Sequence, residues 1–341
     1  MYTQEDLDDA VDHGIFAQDA VQQFRAHVAA RRQAPAVDEE HFRLISGFND
    51  IFVVIACMLT LVSTTWIGAT ISYVFAFLAT ALVAWGLAEC FVRRRRMALP
   101  AIVLLLAFTG SVAALSAGVA GRLELDLILF VGLGAAALAA WVHWLRFRVP
   151  MAVAVGVGAL LCLGGLLVAS LFAGFGLTYE GALQRLGGSV FFVCGVVAFA
   201  LAMHWDMQDT RRVTDKSDIA FWLHMLAAPL LVHPVFSAMT HNVVDGGGSM
   251  QAVWVVLLYA AIGIVSLAID RRALMVAALS YVLVVFANLL MRHGMVNMNF
   301  AITALVVGGA LLLLSVFWHR MRTLLLGCLP KALTLRLPVL R

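Results

Sequence analysis

Residues 71–96 read ISYVFAFLATALVAWGLAECFVRRRR. The stretch ahead of the arginines carries one charge, Glu89, and as a helix is long enough to cross the ~30 Å hydrocarbon layer of a bilayer. The four arginines then stop it. Segments of this kind recur along the chain with brief polar breaks, so residues 71–96 are one member of a series of spans.

Composition agrees. The 341-residue chain is 63% hydrophobic and 13% charged, with a mean hydropathy of +0.96. That leaves too little polar surface to disperse a soluble domain. Lipid cannot hydrogen-bond the backbone, so each span must be a helix or part of a closed barrel. Barrel strands alternate apolar and polar residues, whereas these are solid runs of Leu, Val, Ala, Phe and Gly. The expected fold is an all-α polytopic transmembrane bundle. The cysteines Cys57, Cys90, Cys162, Cys194 and Cys328 form no CxxC pair and avoid the expected outer loops, which argues against a disulfide framework or a cysteine zinc site. The first 48 residues are acidic and polar, so no cleavable signal peptide is expected.

Ten spans are expected, at 49–67, 71–92, 98–120, 125–145, 150–173, 187–205, 218–239, 251–269, 273–291 and 298–318. Trp66 to Thr70 would turn the first two into a tight hairpin. With the N-terminus inside, ten crossings put 20 of the 23 basic residues on the inner side, leaving Arg122, Arg185 and Arg292 outside. The positive-inside rule then holds at every loop, with both ends in the cytoplasm. Arg93 to Arg96 abut the membrane and read as a stop-transfer anchor, not as a nucleic-acid patch.

Residues 1–48 hold 9 of the 20 acidic residues. Leu7, Ala10 and Val11 share a helical face, Gly14 suits a helix stop, and Ala20, Val21, Phe24 and Val28 mark a second short amphipathic helix. This hairpin is too small to bury a core alone. It is expected to pack on the membrane domain, or to take a protein partner through residues 1–33. Residues 34–41, APAVDEEH, read as a linker. No acidic residue follows Asp270, and the tail from His319 to Arg341 mixes Leu with Arg and Lys, which suits the anionic inner leaflet. On the outer side, Thr178 to Leu186 are expected to form a short interfacial helix of their own.

Ionisable groups inside a bilayer are expensive, so they are the default functional candidates. Glu89, Asp206, Asp218 and Asp270 lie near inner boundaries, where capping or pairing with an arginine is the simplest role. The seventh span is the exception. Ser217 and Asp218 can cap its start, and His224, Pro229, His233, Pro234, Ser237, Thr240 and His241 follow. Nine residues separate His224 from His233, which puts them on nearly opposite faces of an unbroken helix. The prolines free the carbonyls of Met225 and Leu230. A broken helix with a polar stripe on the His233 side suits a substrate or ion path.

Two metal sets are also open. His204 and Asp206, at the end of the sixth span, with Asp218 and His224 form a His/Asp group of the kind that holds zinc. Met291, His293, Met295 and Met298, with Met239, His241 and Met250 from the preceding outer loop, offer thioethers and imidazoles suited to Cu(I). Gap-filling methionine is the plainer reading of the second set. There is no GxSxG, HExxH, Walker loop or GxGxxG after a strand. Small residues at Gly110, Ala114, Gly118 and Gly121, and at Gly156, Gly158, Gly164 and Gly165, allow close helix contact.

The Leu7, Ala10-Val11, Gly14-Ile15 helical pair, joined to many short-looped spans, resembles bacterial membrane proteins known only as domains of unknown function. That resemblance implies a bacterial inner membrane and no particular activity. Ten spans with short loops resemble, in architecture only, the drug/metabolite transporter class. Three readings follow: a transporter- or channel-like protein using the kinked seventh span, a membrane-embedded metal-binding protein or hydrolase using the His/Asp group, and a non-catalytic scaffold or sensor docking through its N-terminal helices. The sequence points to no cofactor, substrate or oligomeric state.

Overall fold

The computed structural model describes residues 4–24, 48–120, 125–174, 179–210, 214–244, 249–271 and 320–327, with positions 278–279, 305, 309 and 317–318. The described residues are helical, with no strand among them. They divide into two units, residues 1–43 and 44–340.

In the first unit, α1 (Gln4–Asp12) ends where expected. Gly14 takes φ 69°, and Ile15 N–H bonds the carbonyl of Ala10 while Gly14 N–H bonds that of Val11. This is the paired C-terminal bonding that a left-handed residue permits, and glycine adopts it without a Cβ clash. A second helix, α2, starts at residue 18 and is described to residue 24, with Val21 buried.

In the second unit the helices are α3 (Phe48–Ala69), α4 (Tyr73–Ala88), α5 (Ala98–Val119), α6 (Leu125–Phe147), α7 (Pro150–Gly174), α8 (Tyr179–Gln208), α9 (Asp215–Val244) and α10 (Ser249–Ile269). Among the described residues, seven stretches are long and apolar enough to cross a membrane; they lie in α3 to α9, the second including the π-helical turn Glu89–Arg94 that extends α4. The chain is a multi-pass membrane protein. Of the three further expected spans, the eighth coincides with α10, whose described apolar part is Leu257–Ile269. The ninth and tenth fall almost wholly outside the described residues.

Two expectations need correction. Thr178 to Leu186 do not make a separate interfacial helix: from Tyr179 the chain is one helix through to Gln208, because nothing in Glu180 to Leu186 breaks the helical run before the span begins. The cap of the seventh span is not Ser217 and Asp218. The helix starts at Asp215, and Asp209 holds the preceding turn by accepting from Thr214 N–H at 2.8 Å and from its hydroxyl at 2.6 Å.

Close packing relies on small residues, as expected where lipid supplies no hydrophobic drive between helices. The α3–α4 hairpin is tight. A Cβ on Gly68 would lie 2.6 Å from Ala76 Cα, and the Thr65 and Thr80 hydroxyls meet at 2.7 Å. Of the glycines singled out from the sequence, Gly118, Gly156, Gly158 and Gly165 have neighbours in contact range, whereas Gly110 and Gly164 face open space. The most extensive helix pair is α8 with α9. Helix α9 is the most enclosed span: 44% of its membrane window is buried, against 17–33% for the other six.

Candidate functional site

The α8–α9 contact ends in charge. Gly195, Ala198, Ala202 and Asp206 lie buried along one stripe of α8 at helical spacing. A Cβ on Gly195 would stand 2.8 Å from Leu231 N and 2.9 Å from Leu230 C. That peptide is the one whose carbonyl Pro234 leaves without its helical donor. On α9 the buried stripe runs Ala220, Leu223-His224, Ala227-Ala228, Val232 and Phe236. Both stripes therefore carry small residues through the membrane and bring one ionisable side chain each to the arginine-rich end.

There Asp206 and His224 meet, 1% and 0% exposed. The His224 Nε2–H donates to Asp206 Oδ2 at 2.8 Å, since an ionised carboxylate can only accept. Arg271, just past α10, completes the set. Its Nη2 donates to Asp206 Oδ1 at 2.6 Å and its Nε to Oδ2 at 3.4 Å, while Nη2 also reaches the Ser217 carbonyl at 3.2 Å. Three helices are thus tied through one carboxylate. An isolated charge in this setting would be prohibitive, and a two-pronged guanidinium is the donor best matched to a carboxylate.

How Arg271 gets there follows from local chemistry. Helix α10 ends with Asp270 at φ 58°, Asp270 N–H bonding the Leu267 carbonyl and Arg271 N–H that of Ser266. Ser266 Oγ–H bonds the Arg271 carbonyl in turn. Aspartate tolerates this left-handed cap better than most residues. The cap sends two consecutive, opposite charges apart. Arg271 turns to Asp206, whereas Asp270 accepts from Trp318 Nε1 at 2.9 Å and pairs with Arg322 Nη1 at 3.2 Å. Arg322 lies in the helical residues 320–327 and is buried, so this basic residue of the tail faces protein rather than lipid.

The sequence-derived candidates fare unevenly. Asp206 and His224 are brought together. His204, two residues from Asp206 and so on another face, is exposed and pairs with Gln208 at 2.7 Å. Among the described residues no three His, Cys, Asp or Glu groups stand close enough to hold a metal ion. His224 and His233 do lie on different faces, one buried and one exposed, and α9 continues through Pro229 and Pro234 as a single helix. The side chains of Ser237, Thr240 and His241, and Met291, His293, Met295 and Met298, lie outside the described residues. Glu89 and Asp270 pair with arginines as expected: Arg146 Nε donates to Glu89 Oε1 at 2.6 Å, and Arg93 reaches Oε2 at 3.4 Å.

Three participants escape sequence reading. Arg271 and Arg322 look like ordinary boundary residues of the positive-inside pattern, and Trp318 like the end of the last expected span; only the fold pairs them. His143 is a fourth. It is fully buried beside Trp85, Phe108 and Phe147, with ring centroids 4.6–6.2 Å away, and among the described residues neither ring nitrogen has a hydrogen-bond partner. Its neighbours come from α4, α5 and α6, so no local motif marks it. Set against protein-family models, curated proteins and solved structures, the chain matches none, and the chemistry of the Asp206–His224–Arg271 set is what bears on function.

Proposed function

We propose that this chain is a transporter-like protein of a bacterial inner membrane, with both ends in the cytoplasm, and that α9 is its working element. The observation that carries the reading is the buried Asp206–His224–Arg271 set at the arginine-rich end of the spans. Ionisable groups inside a membrane mark ion paths and proton relays more often than they serve packing. This set joins three helices through bonds that a proton on His224 or Asp206 would rearrange. Helix α9 also contains Pro229 and Pro234, whose missing N–H groups leave it pliable beyond His224. The path would continue along α9 toward His233, Ser237 and Thr240. The set is the inner lock of that path, and the remaining basic residues of the tail rest on anionic lipid.

The test is flux in vesicles. The full-length chain is reconstituted with a trapped pH dye and offered a panel of organic anions, cations and neutral solutes. Solute-dependent proton movement is expected for one class, and is lost in His224→Ala. If no class moves protons, the reading is wrong.

A further inference from the structure

The proposed lock also says what kind of solute it admits. Arg271 holds the Asp206 carboxylate as it would hold a ligand: two nitrogens on two oxygens, with the Ser217 carbonyl as a third contact for Nη2. We propose that Arg271 is the anion-binding group of the site, that Asp206 is its resident occupant, and that a small carboxylate takes the place of Asp206 together with one proton. The inference rests on reading the Asp206–His224–Arg271 set as a working centre.

Charge conservation carries the argument. Arg271 is 2% exposed and Asp206 1%, so neither can lose its counter-charge at acceptable cost. A cation or neutral solute offers Arg271 nothing in exchange for Asp206. A carboxylate offers the same two oxygens. The displaced Asp206 must then be neutralised, and His224, already bonded to it, is the side chain through which a proton reaches the pair. One anion and one proton enter together and the buried charge is unchanged. Among the described residues, Asp206 is the carboxylate bonded to Arg271. From α8, Asp209 is engaged by Thr214; from α9, Asp218 lies in the field of Arg271, Asp215 and Asp209 and would repel an anion rather than hold it; Asp270 is held by Arg322; α7 contributes no charged side chain. The distance from solution is short. Gln208 and Lys216, bonded to each other at 3.1 Å, are exposed, and Ser217, whose carbonyl accepts from Arg271, follows Lys216 directly.

The experiment is thermal unfolding of the full-length protein in detergent, titrated with sodium acetate against sodium chloride at equal ionic strength. Asp206→Asn leaves Arg271 charged and without its carboxylate. Its melting temperature should fall, and acetate should restore it in a saturable way that chloride does not match and that Asp206→Asn/Arg271→Gln lacks. Should Asp206→Asn fail to fold, the wild-type protein decides. Its acetate affinity should rise by up to about a hundredfold from pH 8 to pH 6, since each pH unit is worth up to tenfold when one proton is taken up. Equal rescue by chloride, or acetate binding that ignores pH and Arg271, overturns the proposal. Proton-coupled flux of cations or neutral solutes without acetate binding would leave the transport reading standing and this inference refuted. Acetate binding without flux of any solute would do the reverse.

Discussion

Asp206 and Glu89 each make a 2.6 Å bond to an arginine, yet the two bonds should differ greatly in worth. Glu89 and Arg146 are 31% and 39% exposed, so solvent screens the pair, and Glu89→Gln should leave the unfolding midpoint nearly unchanged. Asp206→Ala strands a buried guanidinium and should cost about 3–5 kcal/mol. Replacing both partners by apolar residues, Asp206→Leu with Arg271→Met, should recover most of that loss, because the penalty comes from the unpaired charge. Unfolding midpoints of the variants in one detergent check this ordering. A double variant as unstable as Asp206→Ala would mean the pair itself supplies the stability. Two of the three members of this site were legible in the sequence. Asp206 and His224 fall together in the His/Asp group at the ends of the sixth and seventh spans. Arg271, 65 residues from Asp206, resembled every other boundary arginine.

Helix pairs depend on what stands at the contact. Gly195 faces a backbone, and a backbone cannot turn aside as a side chain can. Gly195→Ala should therefore destabilise by about 1–3 kcal/mol through overpacking. Gly86→Ala, inside α4 with nothing within 4 Å of the added carbon, should instead be neutral or stabilise by up to about 1 kcal/mol through helix propensity. Equal effects in thermal unfolding would show that the α8–α9 contact is looser than described. At the end of α10, the left-handed Asp270 links the helical residues 320–327 to the Asp206–His224–Arg271 set. Arg322→Gln should weaken the hold on Asp270 and, through the shared cap, the seating of Arg271. The readout is maleimide labelling of Ser217→Cys in a protein cleared of its native cysteines. Labelling should quicken in Arg322→Gln; an unchanged rate would separate the two charge pairs.

For the molecule as a whole, the charge pattern makes a topological prediction. Single cysteines replacing Arg95 and Lys216 should react with impermeant reagent from the same side of the membrane, and one replacing Arg122 from the other. Arg95 and Lys216 labelling from opposite faces would undo the arrangement of spans. What the sequence determined by itself is the succession of helices. Apolar runs of bilayer length must become helices because lipid leaves the backbone no other hydrogen-bond partner, and arginines mark their ends because charge stays in water. Even the stop at Gly14 and the α3–α4 hairpin are local matters of backbone freedom and loop length. What only the tertiary structure decided is which polar groups meet. Whether Asp206 finds His224 and Arg271, whether Asp270 finds Trp318 and Arg322, and whether His143 is enclosed by aromatic rings from three helices all depend on how helices rotate and pack. For Asp206 and His224 it is the approach of Gly195 on α8 to the peptide at Leu230–Leu231 on α9, a contact that no pattern within either segment contains.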